Sequence, residues 1–129
     1  MILLKTKEEV ENIRRAALLV GRTLAEVGRH VKPGVPTVFL NQIGEQFIRD
    51  NGGIPLCKGY EGFPSALCIS VNDVVVHGIP SETLFLQEGD NVSVDCAKTR
   101  PDSPVPSLQG PCDRSLKSEV PCGSCLNWR

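Results

Sequence analysis

The chain has 129 residues and a mass of 14.0 kDa, enough for about one domain, and 40% of its residues are hydrophobic. Its net charge of -1 and isoelectric point near 6.1 give no indication of a nucleic-acid partner or an anionic membrane surface. No apolar run reaches the roughly 20 residues that span a bilayer. The acidic pair Glu8 and Glu9 comes too early for a signal peptide. We therefore expect a soluble cytoplasmic protein.

The first predicted element is a long amphipathic helix. Thr6 and Glu9 fit a capping box at its start. Apolar residues then recur at spacings of three and four over residues 10–31, and Lys32-Pro33-Gly34 ends the pattern. Such a regular stripe is more typical of a face packed on a core than of a partner-binding face. His30, near the end of this helix, is expected to act as a favourable charge or cap there.

A second helix is predicted after the stiff connector at residues 33–36. Thr37 is expected to cap it, and Asn51-Gly52-Gly53 to end it with residues that accept positive φ. The apolar residues of its buried side are Leu40, Ile43, Phe47 and Ile48.

Beyond the second helix the hydrophobic period changes to two, which predicts strands. Residues 66–71 form one strand, Asn72 and Asp73 a tight turn, and residues 74–76 its antiparallel partner. Residues 91–97 alternate valine and cysteine with polar residues, so one face is buried and the other carries Asp95. Cys57, Cys68 and Cys96 lie in or beside apolar segments and are expected to be small, reduced, buried residues.

Residues 98–129 differ in character from residues 1–97. Five prolines interrupt every candidate helix or strand, and few large apolar residues are present, so we expect an irregular or disordered tail. The abrupt change near Ala97 favours a shift of the reading frame there over an authentic alternative end. Cys122 and Cys125, with Cys112 nearby, have a zinc-like spacing, but no fourth ligand follows, so neither a zinc site nor a redox site is expected.

Several motifs in order closely resemble the type I methionine aminopeptidases. They are Tyr60-Glu-Gly-Phe-Pro64, Cys68-Ile-Ser-Val-Asn72, Val75-Val-His77-Gly-Ile-Pro80 and the segment 88–95. The resemblance covers residues 1 to about 97. It implies an α+β architecture of the pita-bread (creatinase/aminopeptidase-like) type, truncated here. It also implies removal of the initiator methionine from nascent proteins, with two divalent metal ions (Co, Mn, Fe or Zn) and a bridging water or hydroxide.

The same resemblance implies roles for individual residues. His77 corresponds to the histidine that hydrogen-bonds the substrate near the scissile peptide, a role that suits an imidazole. Asp95 corresponds to the first aspartate metal ligand, and a carboxylate is a hard oxygen ligand. The residues at the methionine side-chain pocket are Cys57, Tyr60, Phe63 and Cys68, where sulfur and aromatic edges suit a thioether. Without the resemblance, a turn histidine, a solvated strand-end aspartate and ordinary core residues are the default interpretations.

The resemblance stops where further metal ligands are expected. Asp102 comes too early for the second aspartate, Asp113 lacks the surrounding pattern, and no later histidine exists. One aspartate cannot hold two metal ions, so metal binding by this chain is doubtful and we expect no peptidase activity. Expected partners are nascent polypeptide N-termini and the ribosome, for a family that is usually monomeric. The alternative function is a non-catalytic peptide- or ribosome-binding module.

Overall fold

The computed structural model describes residues 4–99 and 114–119, with side chains described over residues 4–97. Two helices, α1 (Lys7–Gly28) and α2 (Thr37–Asp50), precede the strands. The strands are β1 (Ile54–Pro55), β2 (Leu67–Val71), β3 (Asn91–Cys96), β4 (Lys98–Thr99) and β5 (Arg114–Glu119), and a short 3₁₀ turn covers Tyr60–Gly62. Within this described part, no helix is both long enough and apolar enough to cross a membrane.

Helix α1 begins with the predicted capping box. The Thr6 amide donates to Glu9 Oε2 at 2.7 Å, and the Glu9 amide donates to Thr6 Oγ1 at 3.2 Å. The predicted stripe starts too early, because Val10 is 54% exposed and the buried face begins at Ala16. The helix also ends before Val31, at Gly28. Its last carbonyls are satisfied by tighter turns such as His30 N to Val27 O at 2.9 Å.

Helix α2 lies where it was predicted, but Thr37 does not cap it. Pro36 is the cap residue, and carbonyls of the segment 81–84 accept from the first amides, Thr37 N to Leu84 O at 3.0 Å and Val38 N to Ser81 O at 3.1 Å. The prediction is wrong because a distant loop supplies the acceptors that a capping side chain normally provides. The predicted end holds, with Gly52 at a φ of 72°.

The main sheet has the order β2-β3-β5 with antiparallel neighbours, and β1 pairs with β4 separately. The predicted hairpin between residues 66–71 and 74–76 is wrong, because β2 pairs with β3 instead. Residues 74–76 are exposed, whereas β3 places Val92 and Val94 on a buried face. Pairing β2 with β3 therefore buries apolar area that the nearer segment would leave in water.

Two strands lie beyond residue 97, where the sequence predicts none. Lys98–Thr99 pairs with β1, and Arg114–Glu119 pairs with β3. Neither segment contains proline, so each can supply the amides that a ladder requires. The rest of the predicted irregular tail, together with Cys112, Cys122 and Cys125, lies outside the described residues. The domain boundary near residue 97 and the frame shift stay predictions.

The core lies between the helices and the inner face of the sheet. Val27 of α1, Leu40 of α2 and Leu67 of β2 are buried together in it. At Gly44 a Cβ atom would lie 2.6 Å from Leu67 Cδ1, so this glycine allows α2 to approach β2 closely. Buried Asn41 adds a polar tie, since its Oδ1 accepts from the amides of Ala66 and Leu67 at 3.0 Å each.

Candidate active site

The strand register brings Asp95 and Cys68 together. They are directly paired residues of β3 and β2, and paired residues of antiparallel strands project to the same face. Val94 and Cys96 are buried in the core, while Asp95 is half-buried on the opposite face, as the alternation predicted. On the other side of β3, the residue paired with Asp95 is Ser115 of β5.

His77 lies in the loop between β2 and β3, in a strained backbone conformation. Its φ is 57° and the residue is exposed. The next residue is hydrogen-bonded to β2, where the Ile69 amide donates to the Gly78 carbonyl oxygen at 2.8 Å. Ile69 follows Cys68 in the strand, so the His77 loop runs alongside the strand that carries one of the predicted pocket residues.

Three of the four predicted pocket residues belong to one backbone-closed turn. The Tyr60 amide donates to the Cys57 carbonyl at 3.2 Å, and the Phe63 amide donates to the Tyr60 carbonyl at 2.8 Å. Cys57 and Phe63 are half-buried, while Tyr60 is 58% exposed. The fourth residue, Cys68, is buried on β2. The expectation of three buried cysteines therefore holds for Cys68 and Cys96, whereas Cys57 is partly accessible because it lies in a surface turn.

An ion pair that the sequence did not indicate ties this turn to α2. Lys58 Nζ donates to Glu45 Oε1 at 2.8 Å and to Oε2 at 3.0 Å, and Arg49 Nη2 donates to Oε1 at 2.8 Å. Burial alone would raise the pKa of Glu45, but the hydrogen bonds from Lys58 and Arg49 lower it below the ordinary value of 4.5. The turn that carries Cys57, Tyr60 and Phe63 is thus attached to a core helix.

The described residues do not by themselves fit a two-metal centre. Among residues 4–97, whose side chains are described, no group of three or more histidine, cysteine, aspartate or glutamate side chains is placed to hold a metal ion. The strand neighbours of Asp95 are Cys68 and Ser115, and neither is a carboxylate. A dinuclear site needs several oxygen or nitrogen ligands around two ions. The role of Asp95 as one ligand stays a prediction.

Comparison with known proteins decides the family. Residues 11–99 match the metallopeptidase family M24. The chain belongs to this family. It is 47% identical to a methionine aminopeptidase of Clostridium acetobutylicum over 96 residues, which cover 74% of this chain and 38% of that protein. It is 45% identical to methionine aminopeptidase 1 of Bacillus subtilis over 95 residues, again covering 74% and 38%.

Solved structures of M24 peptidases have the same fold over most of this chain. The methionine aminopeptidase of Rickettsia prowazekii matches with a TM-score of 0.73 and 39% identity, covering 76% of this chain and 39% of that one. The enzyme of Thermotoga maritima matches with a TM-score of 0.75 and 35% identity, covering 78% and 41%. The predicted α+β pita-bread fold is confirmed by these matches. The chain spans 38% of the length of the two curated relatives just named.

Proposed function

We propose that residues 1–97 form the amino-terminal part of a methionine aminopeptidase site that receives the initiator methionine of nascent polypeptides. The observation that carries the proposal is the register of β2 and β3, which puts Cys68 and Asp95 on one face within the segment matching family M24. The cytoplasm, where nascent chains leave the ribosome, is the proposed place of action.

The residues of this part divide into a pocket and a polar group. Cys57, Tyr60, Phe63 and Cys68 line the pocket for the methionine side chain, where each sulfur–aromatic contact contributes about 0.3–1.5 kcal/mol. His77 donates a hydrogen bond to the substrate backbone next to the scissile peptide. Its exposure leaves the imidazole accessible to a peptide.

Asp95 is the proposed metal ligand of this part, for cobalt, manganese, iron or zinc. A metal in a hydrolase of this kind activates water and polarises the carbonyl, and it must be held by a complete ligand set. Among the described residues, Asp95 belongs to no group of three or more side chains that could hold a metal ion. The 129-residue chain by itself is therefore proposed to be inactive.

The first prediction is that the purified chain releases no methionine from the peptide Met-Ala-Ser. The assay measures free methionine with added Mn²⁺ or Co²⁺, and the whole enzyme of Bacillus subtilis serves as the positive control. The expected result is no release above buffer, because one carboxylate cannot hold the activating metal. Release by this chain that is abolished both by a chelator and by Asp95→Ala would contradict the claim of inactivity.

A non-catalytic peptide-binding role is the second candidate. It is favoured by the turn that carries Cys57, Tyr60 and Phe63, which is closed by its own backbone hydrogen bonds and tied to α2 by the ion pair of Lys58 and Glu45. The same preparations distinguish the two functions when a fluorescent Met-Ala-Ser peptide is titrated and its anisotropy is followed. Saturable binding that is weakened by Tyr60→Ala, with no release of methionine, supports the binding role. Absence of binding removes it.

A further inference from the structure

We propose that Thr37 and Ser70 are positioning residues that hold His77 in place for the substrate. They act by clamping the backbone that follows His77 between strand β2 and the start of helix α2. The inference rests on the proposed role of His77. Neither residue touches the substrate in this proposal, so each acts through the loop.

The first half of the clamp is the contact with β2. Ser70 is buried, and its Oγ accepts from the Gly78 amide at 3.1 Å. One residue earlier, the Ile69 amide donates to the Gly78 carbonyl at 2.8 Å. Both backbone polar groups of Gly78 are therefore bound to the strand. A Cβ atom at residue 78 would overlap the Ile69 carbonyl oxygen, so only glycine allows this approach.

The second half is the contact with α2. Thr37 is fully buried, and its Oγ1 accepts from the Ser81 amide at 2.9 Å and donates to the Ser81 carbonyl at 3.2 Å. The Val38 amide also donates to the Ser81 carbonyl, at 3.1 Å. Ser81 is thus attached to the first turn of α2 by three hydrogen bonds. This also explains why Thr37 is not free to cap its own helix.

These two attachments account for the backbone of His77. A histidine at a φ of 57° is disfavoured relative to the ordinary helical or extended regions, so the conformation persists only if the neighbouring chain imposes it. Because Gly78 is fixed to β2 and Ser81 is fixed to α2, few backbone conformations remain for His77. His77 is exposed, so burial of its own side chain does not hold it there. The clamp sets the direction in which its imidazole projects.

The chain itself provides a sharp test, because it has two histidines. With ¹³C-labelled histidine rings, His77 gives one NMR signal and His30 gives the comparison signal. The His30 Nδ1 lies 3.0 Å from the Glu26 carbonyl oxygen at the carboxyl end of α1, and its ring contacts Phe39 of α2 with its centroid 6.2 Å away. The variants are Thr37→Val, which keeps the shape but removes the hydroxyl, and Thr37→Ser, which keeps the hydroxyl. Ser70→Ala tests the other half of the clamp.

Thr23→Val is the matched control. Thr23 is also fully buried, and its hydroxyl donates to the Leu19 carbonyl at 2.8 Å within α1, away from the His77 loop. We expect Thr37→Val and Ser70→Ala to shift the His77 signal by more than the His30 signal. Amide exchange should accelerate about tenfold at Ser81 in the first variant and at Gly78 in the second, as expected for loss of one hydrogen bond. Thr37→Ser and Thr23→Val should leave the His77 signal and the two amide exchange rates unchanged.

Two results overturn the inference. One is an unchanged His77 signal in folded Thr37→Val. The other is an equal shift in Thr37→Ser and Thr37→Val, which would mean that packing and not the hydroxyl matters. If Ser70→Ala does not fold, the comparison of Thr37→Val with Thr37→Ser tests the inference by itself. Titration of methionine amide into the unaltered chain tests the proposed function separately. If the His77 signal does not respond to the added amide, the proposed function fails. The comparison of Thr37→Val with Thr37→Ser still tests the clamp in that case.

Discussion

At the scale of single residues, backbone strain is found in both parts of the proposed site. In the part of the chain that the structure describes, three residues other than glycine have positive φ, namely Glu61 at 46°, Asn72 at 53° and His77 at 57°. Asn72 is a usual residue for such a turn, and its side chain donates to Asp90 at 2.8 Å. Glu61 lies in the turn that carries Cys57, Tyr60 and Phe63, and His77 lies in the loop between β2 and β3. Strain of this kind persists where surrounding structure imposes it, and it is often associated with function.

Glycine usually makes a folded chain less stable than alanine does. The strain at residue 77 predicts the opposite order of stability there. His77→Gly should be more stable than His77→Ala by about 1 kcal/mol in chemical denaturation, because glycine adopts positive φ without steric cost. The matched control is exposed Glu82, which is not among the residues with positive φ. At that position, Glu82→Gly should be less stable than Glu82→Ala. If alanine equals or exceeds glycine at residue 77, the position is not strained.

At the scale of elements, the site depends on loops attached to helix α2. Asn41 of the helix binds the start of β2, and Thr37 binds the loop at residue 81. Glu45 binds Lys58, in the turn at residues 57–63. These three residues lie at intervals of four along the helix, so they share one side of it. Helix α2 is therefore the element to which the separate parts of the proposed site are attached.

The Glu45 contact predicts a pH-dependent contribution to stability. Because folding lowers the pKa of Glu45, its contribution is present above the ordinary value of 4.5 and is lost as the pH falls through the lowered pKa. Glu45→Gln should therefore lower the free energy of unfolding by about 1 kcal/mol at neutral pH, and the difference should vanish in acid. The control is Glu11→Gln in an exposed pair with Arg14, where the effect should be smaller. A difference that persists unchanged in acid would contradict the electrostatic explanation.

At the scale of the whole molecule, several large apolar side chains face solvent. Val75 is 84% exposed, and Val76, Ile79 and Phe85 are each more than half exposed. The chain spans 38% of the length of its relative from Clostridium acetobutylicum. Exposed apolar surface on this scale favours association, so aggregation of the isolated chain is expected.

Replacing one of these side chains should improve solubility without affecting the fold. Val75→Thr should reduce aggregation, followed by light scattering, while the free energy of unfolding changes by less than about 0.5 kcal/mol. The matched control is Val94→Thr at a fully buried position, which should destabilise the chain by about 1–3 kcal/mol because a hydroxyl enters the core. Equal aggregation of the Val75→Thr variant and the unaltered chain would show that another surface is responsible.

Much of the secondary structure and the family could be predicted from local patterns. The capping box of Thr6 and Glu9, the alternation that buries Val92 and Val94, and the ordered motifs around His77 all depend on residues close in sequence. The partner of β2 could not be predicted this way. A short turn favoured residues 74–76, but burial of the valines of β3 decided the pairing. Strand β5 was missed because the prolines around it obscured a segment free of proline.

The sequence by itself determined the helices, the alternation of β3 and the family, since each is encoded in short-range spacing or in motif order. Tertiary structure alone decided that Thr37 binds Ser81, that Lys58 binds Glu45 and that Cys68 lies opposite Asp95. These pairs are separated by 44, 13 and 27 residues. Contacts at such separations depend on how elements pack, because the energy of burying the shared core selects among many pairings that local preferences leave equally possible.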